Sequence, residues 1–271
     1  MKHTGTVHTE GADLAFDVQG SGEPLLLIPG AGGDASVYGP LAPLLSDTCT
    51  VITYDRRCNA RSTGDKDAPL DMAQQARDAV AVLRAAGHGR ALVFGNSGGA
   101  NIALQMAADH PDGIALLAVH EPPAIGLLGD DQDTFAFVDR VYQTSQTEGA
   151  PAAMRLFASR LAGLTPPPAG AGSRPGGLGQ AKDMGFFFSK EYLNITLFKP
   201  DLAAIKAAGV PAAVLAGEKS GDAYYVRSTR KVAEGLGRPV QMVPGNHLAF
   251  LFEPGPFAAA IRGVLAAARD A

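Results

Sequence analysis

The most regular signal along the chain is a series of short apolar runs with little polar alternation. Residues 24–28, 51–54, 91–94 and 114–119 form four of them, and residues 212–216 and 240–243 follow after a long interval. Short runs that are apolar on both faces suit strands of a parallel sheet covered by helices on each side. The stretches between them have helical character. Asp71 stands where an N-cap would accept a free N–H and Gly87 where the chain would leave a helix, so one helix is predicted over 71–86. A second runs from after Ser97 to His110, where Pro111 stops it, and two more cover 222–236 and 250–269. Ahead of the first run, residues 4–19 alternate polar and apolar about Gly11-Ala12, the pattern of a β-hairpin at a sheet edge. Strand–helix alternation of this kind predicts an α/β fold with a mostly parallel, doubly wound sheet and right-handed crossovers.

Residues 122–203 break the rhythm. Pro122-Pro123 opens the segment, helical pieces follow over about 131–148 and 150–162, and then come Pro166-Pro167-Pro168 and a glycine-rich run to Gly179. Phe186-Phe187-Phe188 stand before a further helical piece. A long insertion between two sheet strands reads as a helical lid over a pocket rather than a separate domain. The expected organisation is a core of residues 1–121 and 204–271 with a lid over 122–203.

Chemistry concentrates at Gly95-Asn96-Ser97-Gly98-Gly99, which directly follows one apolar run and directly precedes a helical stretch. This is G-x-S-x-G in the strand–turn–helix context that gives the motif its meaning. The turn is so tight that its central serine is strained and pushed out above the sheet, and only small residues fit two positions to either side. The helix N-terminus aims free N–H groups and the positive end of its dipole at that serine.

With three further segments, this motif resembles the α/β-hydrolase superfamily over essentially the whole chain. Pro29-Gly30-Ala31-Gly32-Gly33 sits where that family has its first oxyanion loop. Residues 54–62 look like its D-x-R-G-x-G-x-S loop, with Cys58 and Ala60 in place of glycines. Gly245-Asn246-His247 matches the terminal G-x-H. The resemblance implies Ser97 as nucleophile, His247 as its base, and the backbone N–H groups of Gly98 and Ala31 as oxyanion donors. His120, which ends a strand, is the competitor to His247.

The acid is less direct. The family places an Asp in G-x-x-D after the seventh strand, but this chain reads Gly217-Glu218-Lys219-Ser220. Glu121, at the end of the strand neighbouring the elbow strand, is the first candidate, by similarity to dehalogenases of the family that carry a Glu there. A carboxylate ending so apolar a strand needs a partner, and the His247 imidazole would be one. Asp222, two residues beyond Ser220, is the alternative, and a site with no acid is the third reading. Phe135, Phe137 and Phe186 to Phe188 either line an apolar substrate pocket or pack the lid alone. Arg56, Arg57 and Arg61 read as solvated or structural, with an anionic substrate as the other option.

Composition narrows the field. With 46% hydrophobic and 18% charged residues the 271-residue chain is globular, and a net charge of −4 makes nucleic acid and anionic lipid poor partners. No apolar run reaches membrane-spanning length, and the sequence after Met1 shows no apolar signal core. Cys49 and Cys58 flank one strand too far apart to bridge, so a reduced, cytoplasmic protein is expected. No metal-ligand spacing and no phosphate cradle stand out, so no cofactor is expected. These signs together imply a serine hydrolase acting on a carboxylic ester, lactone or thioester of a small to medium, mostly apolar molecule. A cyclase, lyase or acyltransferase on the same scaffold, or a ligand-binding member with a degenerate triad, remains the alternative.

Overall fold

The computed structural model describes residues 2–163 and 181–267, and the statements below concern those residues. Strands β1 (Lys2–Thr9) and β2 (Ala12–Gly20) form the expected hairpin, joined by Glu10-Gly11, both at positive φ. Two such residues make the turn whose twist matches that of the paired strands. The apolar runs become β3 (Glu23–Ile28), β4 (Cys49–Tyr54), β5 (Ala91–Asn96), β6 (Ile114–His120), β7 (Ala212–Gly217) and β8 (Val240–Val243). All eight lie in one sheet of order β1-β2-β4-β3-β5-β6-β7-β8. The β1–β2 and β2–β4 pairs are antiparallel and every other pair is parallel.

Burial explains the sequence pattern. Leu25 to Ile28 are fully buried, as interior strands with helices on both faces must be. β8 departs from that rule because it is an edge, and Gln241 and Met242 on it are exposed. From β3 the chain steps outward to β4 and then returns to β5 on the other side of β3. The loops after β3 and β5 therefore part in opposite directions and leave a crevice between them, where open α/β sheets bind ligands.

The helices follow their signals with one exception. Asp71 accepts from Ala73 N at 2.9 Å and caps the helix Met72–Ala85, and Gly98–Asp109 follows the elbow. The single helix expected over 250–269 is instead two, Ala249–Phe252 and Pro254–Ala267. Pro254 is the reason, since its ring bars helical backbone at Glu253, which sits at φ −126° and ψ 53°.

Between β6 and β7 stand the helices Gln132–Thr147, Ala150–Ala158, Ala181–Phe186, Tyr192–Thr196 and Leu202–Ala207. Phe186, Phe187 and Phe188 are not ahead of a helix but inside one continuous helical run, with a π-helical turn over Phe187–Glu191. The triple proline and the glycine-rich run to Gly179 lie outside the described residues. Cys49 and Cys58 are both buried and are not bridged to each other.

Of the two readings of the arginine cluster, solvated or structural, the structure bears out the structural one. Arg56 is completely buried and meets Glu191 of the insertion through two hydrogen bonds of 2.7 Å. It also donates to the Gly30 carbonyl at 3.0 Å, and Asn59 donates to Glu191 at 3.1 Å. Arg57 is bidentate on Asp78, and Arg61 pairs with Asp55 and Asp17. Glu191→Ala should therefore cost about 3–5 kcal/mol in urea unfolding, because it leaves the Arg56 charge buried without a counter-ion. A loss below about 1 kcal/mol would show that the pair carries little of the stability.

Candidate active site

Ser97 has φ 55° and ψ −128°, outside the regions open to an L-residue at low energy. The strain is locked in from both sides. A Cβ on Gly95 would fall 2.3 Å from the Gly99 carbonyl oxygen, and one on Gly99 would fall 2.0 Å from that of Ile28. Ser97 N donates to the His120 carbonyl at 3.0 Å, so the elbow is also stitched to the end of β6. The loop after β3 packs directly on it, since a Cβ on Gly30 would sit 3.2 Å from Gly98 N.

Two narrow adjoining cavities meet at this point and share Ala31, Ser97, Phe157 and His247. One extends past Gly98 and Ile195 to Thr196, Tyr224 and Tyr225. The other extends past Val37 and Leu161 to Tyr38, Leu248 and Phe250. The expected oxyanion residues Gly98 and Ala31 thus border the same space as Ser97 and His247.

His247 follows β8 and is buried, its ring against that of Tyr225 at a centroid distance of 4.3 Å. Its Nδ1 lies 2.7 Å from Glu121 Oε2, and since an ionised carboxylate only accepts, Nδ1 carries the proton. The other carboxylate oxygen accepts from Gly217 N at 2.7 Å. Glu121 is fully buried and itself at φ 50°. Burial pushes its carboxyl up, but His120 and His247 outweigh that and hold it at about 2. Ser220, at the position where the family pattern has aspartate, is buried with its hydroxyl facing this carboxylate. Asp222 is turned to solvent and pairs with Arg230 and Arg227.

His120 does not line the cavity. It is fully buried behind the Glu121–His247 pair, with Asn96 Nδ2 at 2.8 Å from its Nδ1, and burial lowers its pKa to about 4. Of the five expected phenylalanines, Phe187 lines the space beside Ser97. Phe137 instead packs on Tyr224 beneath Arg160, Phe188 packs on Phe157 and Tyr192, and Phe135 and Phe186 are half-buried. Sequence reasoning missed Phe157, Ile195, Thr196, Tyr224 and Tyr225 in one arm and the whole wall of Val37, Tyr38, Leu161, Leu248 and Phe250 in the other. Only the Tyr224-Tyr225 pair left a sequence signal, as aromatics opening the helix after β7.

A family profile described as alpha/beta hydrolase fold matches residues 23–254. The chain belongs to the α/β-hydrolase family. A Bacillus subtilis (strain 168) protein named uncharacterized hydrolase YraK is 35% identical over 127 residues, 46% of this chain and 47% of that protein. The match therefore spans about half the length of that relative. Among solved structures, a thermophilic esterase from Thermogutta terrifontis shares 21% identity at a TM-score of 0.75, covering 98% of this chain and 99% of that one. Est816, described as an N-acyl homoserine lactone degrading enzyme, gives 21% and 0.74, covering 96% and 99%. At these identities the structures speak for the fold alone.

In this α/β-hydrolase the buried, neutral His120 sets a dependence of stability on pH. The unfolded chain takes up a proton on this histidine near 6.5, whereas the folded chain resists until about 4. The unfolded state binds more protons between those values, so stability falls on acidification across that window, by about 3 kcal/mol from this group. Urea unfolding at pH 7 and pH 4.5 should show a smaller acid loss for His120→Leu than for the native protein, and equal losses would refute the assignment.

Proposed function

We propose that this protein is a serine hydrolase that cleaves a carboxylic ester, lactone or thioester of a small to medium, mostly apolar substrate through an acyl-enzyme on Ser97. The observation that carries the reading is the 2.7 Å contact between Glu121 and His247, behind a serine held on a strained elbow in the same cavity. With Nδ1 protonated and held by Glu121, the neutral imidazole offers Nε2 as the base. Ser97 Oγ attacks the carbonyl carbon while His247 takes its proton. The oxyanion forms against the N–H groups of Gly98 and Ala31, donors worth about 3–4 kcal/mol each in such sites. Collapse expels the alcohol or thiol, which takes the proton from His247, and water repeats the sequence to free the acid.

The two arms of the cavity suit the two sides of a scissile ester, one walled by Ile195, Thr196, Tyr224 and Tyr225, the other by Val37, Leu161 and Phe250. Both are mostly apolar. In this reading residues 122–203 are the lid, for Phe157, Phe187, Ile195 and Thr196 come from that insertion. The serine at the elbow, rather than an aspartate, favours an acyl-enzyme over dehalogenation or epoxide opening.

Ser97→Ala should lower turnover of chromogenic esters by about 10⁴ or more with the unfolding transition unchanged. A fluorophosphonate should label the native protein at Ser97. Glu121→Gln should cost about 10³–10⁴ in turnover and Asp222→Asn less than about tenfold. Esters of graded acyl length would place the substrate. Turnover that survives Ser97→Ala, or an Asp222 variant worse than the Glu121 variant, would overturn the assignment.

A further inference from the structure

Behind the carboxylate lies a polar pair that the reaction above does not use. Asn96 Nδ2 is 3.1 Å from the His247 carbonyl oxygen and 2.8 Å from His120 Nδ1. A carbonyl only accepts, so the Asn96 atom facing it is the NH2 group and not the amide oxygen. The second hydrogen of that NH2 falls to His120 Nδ1, which must then accept with its lone pair. In the neutral ring the proton is consequently on Nε2. That Nε2 is buried, has no hydrogen-bond partner, and lies 4.0 Å from Glu121 Oε1.

We propose that Asn96 and His120 are positioning residues for the acid and the base: Asn96 fixes the His247 backbone and the His120 tautomer together, and His120 turns its Nε2–H dipole to the Glu121 carboxylate. The proposal rests on the Ser97–His247–Glu121 reading and adds what holds it in place. At 4.0 Å the contact is longer than a hydrogen bond, but in a dry interior an oriented N–H dipole acts on a carboxylate over that distance. It stabilises the anion without bringing a second charge that would compete for it. It thereby keeps the carboxylate an acceptor for the His247 Nδ1 proton.

The surroundings leave this role to few groups. The titratable groups facing the His120 ring are Glu121 and His247, whose ring lies nearly parallel at 6.3 Å. β7 sets Leu215 beside it, β5 the neutral Asn96, and the last helix the ring of Phe257 at 5.2 Å. An apolar pair would fill this space without the cost of desolvating two polar side chains, several kcal/mol in a buried site. The one donor left without a hydrogen-bond partner in the pair is the one whose nitrogen lies 4.0 Å from the acid.

Two variants separate the donor from the anchor. His120→Asn keeps an acceptor near the Nδ1 position and loses the donor to Glu121, whereas His120→Gln keeps a donor near the Nε2 position. The readout is the pH profile of fluorophosphonate labelling and of kcat/KM on a chromogenic ester. In His120→Asn the acid limb should move up by about one pH unit, so that kcat/KM below the native limb falls about tenfold. His120→Gln should return the limb toward the native position. Nitrogen NMR of the native protein at neutral pH should find His120 protonated on Nε2 alone. An unmoved limb in His120→Asn, a uniform loss at every pH that tracks lowered stability, or a proton on Nδ1 would overturn the proposal while Ser97 still labels. A native protein that fails to label at Ser97 would overturn the underlying reading and this proposal with it.

Discussion

A carboxylate taken wholly out of water has to be met on both oxygens, and much of this molecule is arranged around meeting the one on Glu121. Left bare it would cost several kcal/mol or take up a proton. One oxygen is satisfied by a backbone N–H at the end of β7 and the other by an imidazole from the loop after β8. The residue itself sits just past the end of β6. Three segments distant in sequence are thereby fixed at one point, and crowding there is severe: a Cβ on Gly217 would fall 2.7 Å from the Gly245 carbonyl oxygen. The glycines of the β7 and β8 loops belong to the same constraint as the carboxylate.

Sheet register then brings the strained residues side by side. Asn96 and His120 are partners in the parallel β5–β6 pairing. One residue further on, both chains enter the positive-φ region, at Ser97 and at Glu121. Ser97 N donates to the His120 carbonyl and Glu121 N to the Leu215 carbonyl, so each strained residue is held by the neighbouring strand. Strain of about 1–3 kcal/mol per residue persists only where surrounding contacts over-determine the backbone. Here the parallel ladder supplies those contacts, which is why both side chains rise from the same end of the sheet.

What could be read in the sequence follows from how local each cause is. The interior strands were legible because burial on both faces leaves polar residues only at the ends of β3, β5 and β6, at Glu23, Asn96 and His120. The elbow was legible because the tight strand-to-helix turn forces Gly95 through a clash four residues on, although the clash that forces Gly99 is with the distant Ile28. Glu121 was legible as a candidate through the resemblance to family members with a Glu at that strand end, since Ser220 stands at the usual acid position and a charge ends an apolar strand, while Asp222 stayed open. The cavity wall was legible only at Phe187 among the expected phenylalanines. Phe157, Ile195 and Thr196 reach it through the packing of an insertion whose course no local pattern specifies, and Phe137 and Phe188 face elsewhere for the same reason. Whether Arg56 was solvated or structural stayed open in the sequence because its counter-ion stands 135 residues away. The break at Glu253 was local, but the apolar run around it masked the effect of Pro254.

The Arg56 pair also joins two parts of the site that the fold alone would leave independent. The same guanidinium that binds Glu191 donates to the Gly30 carbonyl, in the loop that packs on Gly98. Withdrawing Glu191 would strand a cation in the interior and remove the hydrogen-bonded frame that also holds Gly30. The cost of breaking a buried pair, about 3–5 kcal/mol, exceeds what a single apolar contact in the cavity returns. The Glu191 end of the insertion is therefore the fixed end, and the backbone beside Ser97 is held by the same charge pair that docks it.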